Sequence, residues 1–97
     1  MRLNRNTYNI KETIELLMKT YKIDKKFDQA QVIKAYGEVV GPMISKHTTA
    51  VYMKEETLYI HVDNAALRNE LVYAKERLIA AINKKTGKDL VINLFIS

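Results

Sequence analysis

His47 and His61 are the side chains in this sequence best suited to proton or metal chemistry near neutral pH. His61 alternates with apolar residues, which places it on the outward face of a strand, and His47 stands at a turn between a helix and a strand. A zinc site needs three or four ligands, and the chain has no cysteine. We therefore expect surface or turn histidines, not a metal site.

Sequence motifs of catalytic sites are missing from the chain. It has no Gly-x-Ser-x-Gly, no His-Glu-x-x-His and no Gly-x-x-x-x-Gly-Lys. Gly37 and Gly41 form a Gly-x-x-x-Gly pair, which differs from the Gly-x-x-Gly loop by which KH domains hold a nucleic-acid backbone. The sequence thus predicts a protein that is not an enzyme and that needs no cofactor or small-molecule substrate.

The charge of the chain is positive and uneven. There are 16 basic and 11 acidic residues, a net charge of +5, and residues 1–48 account for most of the excess. A positive field favours anionic partners such as nucleic acid, although solubility alone explains it about equally well. The candidate nucleic-acid contacts are Arg2, Arg5, Lys22, Lys25 and Lys26.

Two helices are predicted in the first half of the chain. Apolar residues at helical spacing follow the capping pair Asn9 and Glu12, which predicts a leading helix over 10–22. A charged connector follows, from Tyr21 to Phe27. A second helix is expected over 29–40, ending at the Gly41-Pro42 pair, with a short extra turn to about residue 46.

Strands and one further helix are predicted in the second half. Alternating residues around Val51 and over 58–62 indicate a hairpin with a longer turn at Glu55-Glu56-Thr57. A third helix, capped by Asp63-Asn64, ends before Gly87, and residues 91–96 form a last strand. The expected core residues are Ile33, Val40, Leu58, Ile60, Leu67, Leu71, Leu78 and Ile82.

These elements predict an α+β fold with the order helix-helix-strand-strand-helix-strand. The crossover through the third helix can bring the last strand in parallel to a hairpin strand, which gives a three-stranded mixed sheet with helices mainly on one face. The arrangement resembles a KH-like core. We expect a single domain over 1–97, with a loose start over 1–8, and a cytoplasmic location, because no apolar stretch approaches the roughly 18 residues of a membrane span.

Aromatic residues offer two further surfaces to consider. Tyr52, Tyr59 and His61, with Lys54, should face away from the helices. Such a face resembles a stacking platform for single-stranded nucleic acid, but tyrosine is also simply a good strand former, and we favour that interpretation. Tyr36 lies on the apolar stripe of the second helix, where a core position is favoured over a partner-facing anchor.

The order of several short motifs carries a family resemblance. Tyr36 is followed by Val40-Gly41 and His47-Thr48, then by the hairpin, the helix start Asn64-Ala65-Ala66-Leu67 with Leu71, and finally Ile82-Asn83 and Gly87. Over about residues 28–96, this chain resembles the DciA-like family of bacterial proteins, long catalogued as a domain of unknown function.

The resemblance implies a KH-like domain that binds the replicative DNA helicase and assists its loading on DNA. This chain departs from the family at two positions: the family usually has tryptophan where this chain has Tyr36, and a glycine in the hairpin turn where this chain has Glu56. Many members also carry a long flexible tail, which we do not expect here. If the function is shared, the contact with the helicase should involve Tyr36, Lys46, His47 and Tyr52.

Two functions of different classes therefore stay open. The first is an interaction module for the replicative helicase. The second is a small basic domain that binds single-stranded nucleic acid, DNA in particular. Capture of the helicase after nuclease treatment would favour the first, and capture of nucleic acid alone would favour the second.

Overall fold

The computed structural model describes residues 10–97, apart from the side chains of Met18, Thr20 and Tyr21. The expected loose start over 1–8, with the candidate contacts Arg2 and Arg5, lies outside these residues. The elements in chain order are helix α1 (Ile10–His47), strands β1 (Thr48–Lys54) and β2 (Thr57–Val62), helices α2 (Ala65–Tyr73) and α3 (Lys75–Thr86), and strand β3 (Asn93–Ile96).

Helix α1 continues through the segment expected to be a connector. Residues 21–27 are helical, because they contain neither Gly nor Pro and because Lys and Asp can remain in a helix at small cost. The break falls at Gly41, whose φ of 85° and ψ of 175° are not helical, and Pro42 starts the last turns. Two helical segments therefore precede the hairpin, and the predicted break at Gly41-Pro42 with a short helical stretch after it is confirmed. The structure corrects the predicted connector, because residues 21–27 join the two predicted helices without a break.

The expected third helix is divided into α2 and α3. Asn64 caps α2, as predicted, by accepting the Leu67 N–H at 3.0 Å on its side-chain oxygen. At Ala74, φ is −92° and ψ is 8°, which separates α2 from α3. Gly87 ends α3 in the left-handed conformation, with φ 75°, the conformation expected of a glycine cap.

The sheet has the predicted mixed topology. Its order is β1-β2-β3, with β1 antiparallel and β3 parallel to the central strand β2. The hairpin turn is tighter than expected, because Lys54 pairs with Thr57 and leaves only two residues between the strands. Glu55 takes a positive φ of 57°, as such a turn requires. The α+β prediction is thus confirmed, while the KH-like label stays a prediction.

The core lies between the sheet and the helices, and α1, α2 and α3 all contribute buried residues to it. Six of the eight expected core residues are buried. Val40 is only partly buried and packs against the core, whereas Ile33 does not join it. Val32 is buried in place of Ile33, because Val32 lies on the side of α1 that faces the core. The buried hydrophobic residues are Val32, Ala35, Tyr36, Leu58, Ile60, Val62, Leu67, Leu71, Leu78, Ile82, Val91 and Leu94.

Candidate partner-binding surfaces

Tyr36 lies in the core, with 2% of its surface exposed. Its hydroxyl is 2.9 Å from Oγ1 of Thr48, and that Oγ1 is 2.7 Å from the carbonyl oxygen of Ile44. Because the carbonyl can only accept, Thr48 donates to Ile44 and Tyr36 donates to Thr48. Burial raises the pKa of the Tyr36 hydroxyl. The ring is therefore part of the core, the interpretation that the sequence favoured, and this burial leaves little of Tyr36 for the predicted contact with a partner.

His47 connects the end of α1 to the end of β2. Its Nδ1 lies 2.8 Å from Oδ1 of Asp63, and its carbonyl oxygen accepts the Asp63 N–H at 3.0 Å. Both the side chain and the backbone of His47 thus interact with Asp63. The imidazole stays partly exposed, so it can still touch a partner from this position.

Lys46 and Tyr52 lie on different parts of the surface. Lys46 is exposed at the end of α1, next to His47. Tyr52 is exposed on the face of the sheet that the helices leave uncovered, which we call the open face. Of the four predicted contact residues, only Lys46 and His47 are neighbours on one surface.

Three aromatic rings form a row across the open face. Tyr52 stacks on Tyr59 with ring centroids 5.0 Å apart and planes 7° apart, and Tyr59 meets Phe95 at 5.7 Å and 47°. The row results from the register of the three strands, because Tyr59 on β2 pairs with Tyr52 on β1 and with Phe95 on β3. Both sides of the Tyr59 ring are occupied, which favours the structural interpretation over a stacking platform.

Phe95 was not among the expected surface residues. The alternation of the last strand could have identified it, because Leu94 and Phe95 are consecutive and therefore point to opposite faces of the sheet. Beside the row, the open face carries Lys54 and His61, both exposed. His61 Nδ1 lies 3.1 Å from the Ser97 hydroxyl. This face is therefore more aromatic than cationic.

Three of the five predicted nucleic-acid contacts fall within the described residues, and all three lie on residues 10–27 of α1, which we call the leading segment. Lys22, Lys25 and Lys26 are all exposed. Lys22 and Lys26 are four residues apart and share one side of the helix. Lys25 differs, because it lines a cleft rich in carboxylates. The structure thus brings Lys22 and Lys26 together and places Lys25 in an acidic setting that disfavours phosphate.

The cleft lies where the leading segment meets the hairpin turn. Its volume is about 260 Å³, below the range of about 300–1,000 Å³ that is usual for small-molecule sites. Val32, Met53 and Leu90 supply its apolar lining. The carboxylates around it are those of Asp24, Asp28, Glu55, Glu56 and Asp89.

Within residues 10–97, no group of three His, Asp or Glu side chains could hold a metal ion. No helix in that range is long and apolar enough to cross a membrane. The ion pairs in the same range at distances of 2.7 to 3.3 Å join parts of the fold: Lys85 to Glu38, His47 to Asp63 and Lys88 to Asp28.

The residues that carry the family resemblance hold the fold together. Gly41 forms the break in α1, and Thr48 accepts the Tyr36 hydroxyl. The side chain of Asn83 donates to the carbonyl oxygen of Val91 at 2.9 Å and accepts the Val91 N–H at 3.0 Å, which ties α3 to the segment before β3. These motif residues therefore have structural roles in the fold.

A family model described as "Dna[CI] antecedent, DciA" matches residues 9–96. The match therefore includes the leading segment, whereas the resemblance from sequence covered about residues 28–96. No curated protein matches the chain.

Proposed function

Because the chain belongs to the DciA family, which acts in loading of the replicative DNA helicase, we propose that this protein binds that helicase directly and assists its loading on DNA. The observation that carries the proposal is the family match over residues 9–96, almost the whole described chain. In this proposal the protein is a non-enzymatic interaction module of the bacterial cytoplasm.

The character of the described surface supports such a module. The cleft is small and acidic, and the polar motif residues are engaged in internal hydrogen bonds. The described surface also exposes several large hydrophobic side chains, among them Phe27, Tyr73 and Phe95. Exposed aromatic side chains are common anchors of protein interfaces.

We place one helicase contact at the end of α1, around Lys46 and His47. The His47–Asp63 pair and the backbone hydrogen bond beside it fix this corner of the fold, so a partner need not order it on binding. Lys46 adds an exposed positive charge. Tyr52 lies on the open face and would take part only if the contact extends around the edge strand β1.

The second candidate is direct binding of single-stranded DNA through the leading segment. The observation that favours it is the exposed pair Lys22 and Lys26 on one side of α1. Two lysines neutralise few phosphates, so this binding should be weak and strongly dependent on salt. It is compatible with a role beside the helicase, where DNA is always near.

Capture of the helicase by the immobilised full chain tests the proposal. The host extract is treated with nuclease and passed over the wild type, over Lys46→Glu, and over Lys84→Glu, which makes the same charge change at another exposed lysine. We expect helicase on the wild type and the Lys84 variant, and less on the Lys46 variant. Recovery of nucleic acid alone from untreated extract would overturn the proposal in favour of the second candidate.

A further inference from the structure

Strand β1 lies at an edge of the sheet, and within residues 10–97 its partner strand is β2. The two-residue hairpin turn closes on Lys54 and Thr57, which makes them a hydrogen-bonded pair, and hydrogen-bonded and free pairs alternate along the strand from there. Val51 and Met53 therefore direct their N–H and C=O groups away from β2. Such a row of free backbone groups is a template for another strand.

The features that usually protect an edge strand are weak on β1. Natural edges carry charges, proline or bulges, or are very short. β1 has seven residues, no proline and no charge before its last residue, Lys54, and its irregularity lies near its start, between Thr48 and Ala50. The opposite edge is the four-residue β3. Of the two edges, β1 is thus the one long enough to accept a further strand.

A half-covered strip of apolar side chains runs beneath this edge. Val51 and Met53 pack against the core but are only partly buried, whereas the residues they pair with on β2 are buried. On α1, Ile33 and Val40 lie three residues before and four residues after Tyr36, whose hydroxyl meets the first residue of β1. Both are also only partly buried. We call these four partly buried residues the apolar margin.

We propose that β1 pairs with β1 of a second copy of this chain in the antiparallel direction, so that two three-stranded sheets join into one of six strands. The two-fold axis passes at Val51, the middle of the seven residues, and the whole strand is paired. Val51 then exchanges both of its outward hydrogen bonds with its counterpart. Lys54 comes opposite the uncharged Thr48, and the small Ala50 comes opposite Tyr52. The helices of both copies lie on the same side, where the two apolar margins cover each other.

Charges at the two ends of β1 favour the antiparallel orientation. Lys46 is exposed just before the strand, and Glu55 and Glu56 are exposed just after it. Asp63, also near the start, is held by His47 of its own copy. Lys46 lies five residues before the axis residue and Glu56 five after it, so the proposed register brings them opposite each other at both ends. Parallel copies would instead place like charges side by side, which is unfavourable.

Sedimentation of the full chain over a range of concentrations tests the dimer. Val51→Pro removes the outward N–H that the second copy needs and spares the hydrogen bonds to β2. Ile96→Pro is the matched control on the opposite edge. The Ser97 N–H donates to the carbonyl oxygen of Ile60 at 2.9 Å, so the N–H of the preceding Ile96 points away from β2, and both replaced side chains are partly buried. We expect dimerisation of the wild type and the Ile96 variant, and a monomer for the Val51 variant, with circular dichroism to check folding.

A cysteine on the two-fold axis tests the orientation and the register, because the chain has no cysteine of its own. Val51→Cys should cross-link two copies under oxidising conditions, since the Cα atoms of a hydrogen-bonded antiparallel pair are about 5.5 Å apart, within disulfide range. Met53→Cys is the control. Antiparallel copies separate the two residues 53 by roughly 13 Å along the strand, whereas parallel copies would bring them together.

Several outcomes would overturn the proposal. They are a wild type that stays monomeric at about millimolar concentration, a folded Val51→Pro variant that still dimerises, and a Met53→Cys variant that cross-links as readily as Val51→Cys. If Val51→Pro does not fold, the cysteine variants decide, and a Val51→Cys protein that fails to cross-link overturns the dimer. A Val51→Pro variant that sediments as the wild type does and loses helicase capture would show that the edge receives a strand of the helicase instead.

Discussion

The hydroxyl of Tyr36 donates to Oγ1 of Thr48, 2.9 Å away, and joins the middle of α1 to the first residue of β1. Thr48 Oγ1 in turn donates a hydrogen bond to the carbonyl oxygen of Ile44, which lies beyond the break at Gly41. The chain of two hydrogen bonds thus holds together both sides of that break and the start of the sheet. It gives a buried polar atom its partner, as a hydroxyl in a core requires.

Tyr36→Phe should destabilise the protein by about 1 kcal/mol, because it removes one buried hydrogen bond and keeps the ring. Chemical denaturation measures the loss. Helicase capture should be unchanged, because the ring is buried. An unchanged free energy of unfolding combined with lost capture would show that the hydroxyl belongs to an interface.

The same hydroxyl predicts a pH dependence. Burial raises its pKa in the folded state above the ordinary value of 10.0, so the folded state holds the proton more strongly than the unfolded state. The contribution to stability is full below about pH 10 and falls as the pH rises through the folded-state pKa. The difference in stability between wild type and Tyr36→Phe should therefore shrink above about pH 10. A difference that grows there would contradict the burial argument.

Two glycines of α1 should respond oppositely to alanine. At Gly41, φ is 85° and ψ is 175°, a region almost restricted to glycine, so Gly41→Ala should cost about 1–3 kcal/mol. Gly37 is helical and has room, since an added Cβ would meet only Ser45 Oγ at 3.7 Å. Gly37→Ala should stabilise the protein by about 0.5–1 kcal/mol. Thermal or chemical unfolding of both variants checks the opposite signs.

Adjacent residues of α2 give a matched test of the core. Leu71 is buried and Val72 is exposed. Leu71→Ala should cost about 2–5 kcal/mol because it leaves a cavity, whereas Val72→Ala should change stability by less than about 0.5 kcal/mol. Equal melting temperatures for the two variants would mean that the phase of α2 is wrong.

Binding of single-stranded DNA should depend on the leading segment. Fluorescence anisotropy at low salt should show weak binding that fades as salt rises, because phosphate contacts release counterions. Lys22→Glu with Lys26→Glu should weaken it more than the same change at Lys34 and Lys84, which are also exposed. Equal losses from the two double variants would place the DNA elsewhere, and tight binding indifferent to salt would contradict the electrostatic account.

The sequence by itself determined the elements and their order, because the signals are local. Asn64 and Gly87 mark the start of α2 and the end of α3 by their own capping chemistry. Alternation identified which side of each hairpin strand faces the core, and the length of the crossover allowed the parallel pairing of β3 with β2. The family match followed from the same positions.

Only the tertiary structure decided which neighbouring side chain enters the core and which charges meet. Val32 and Ile33 are equally apolar, and the position of the sheet buries the first. In the sequence, Lys25 belongs to a run of charged residues that is mostly basic. In the structure it lines a cleft where the carboxylates of the hairpin turn and of Asp89 surround it. The physical reason is shared: burial and local field depend on elements that are distant in sequence, so no local pattern contains them.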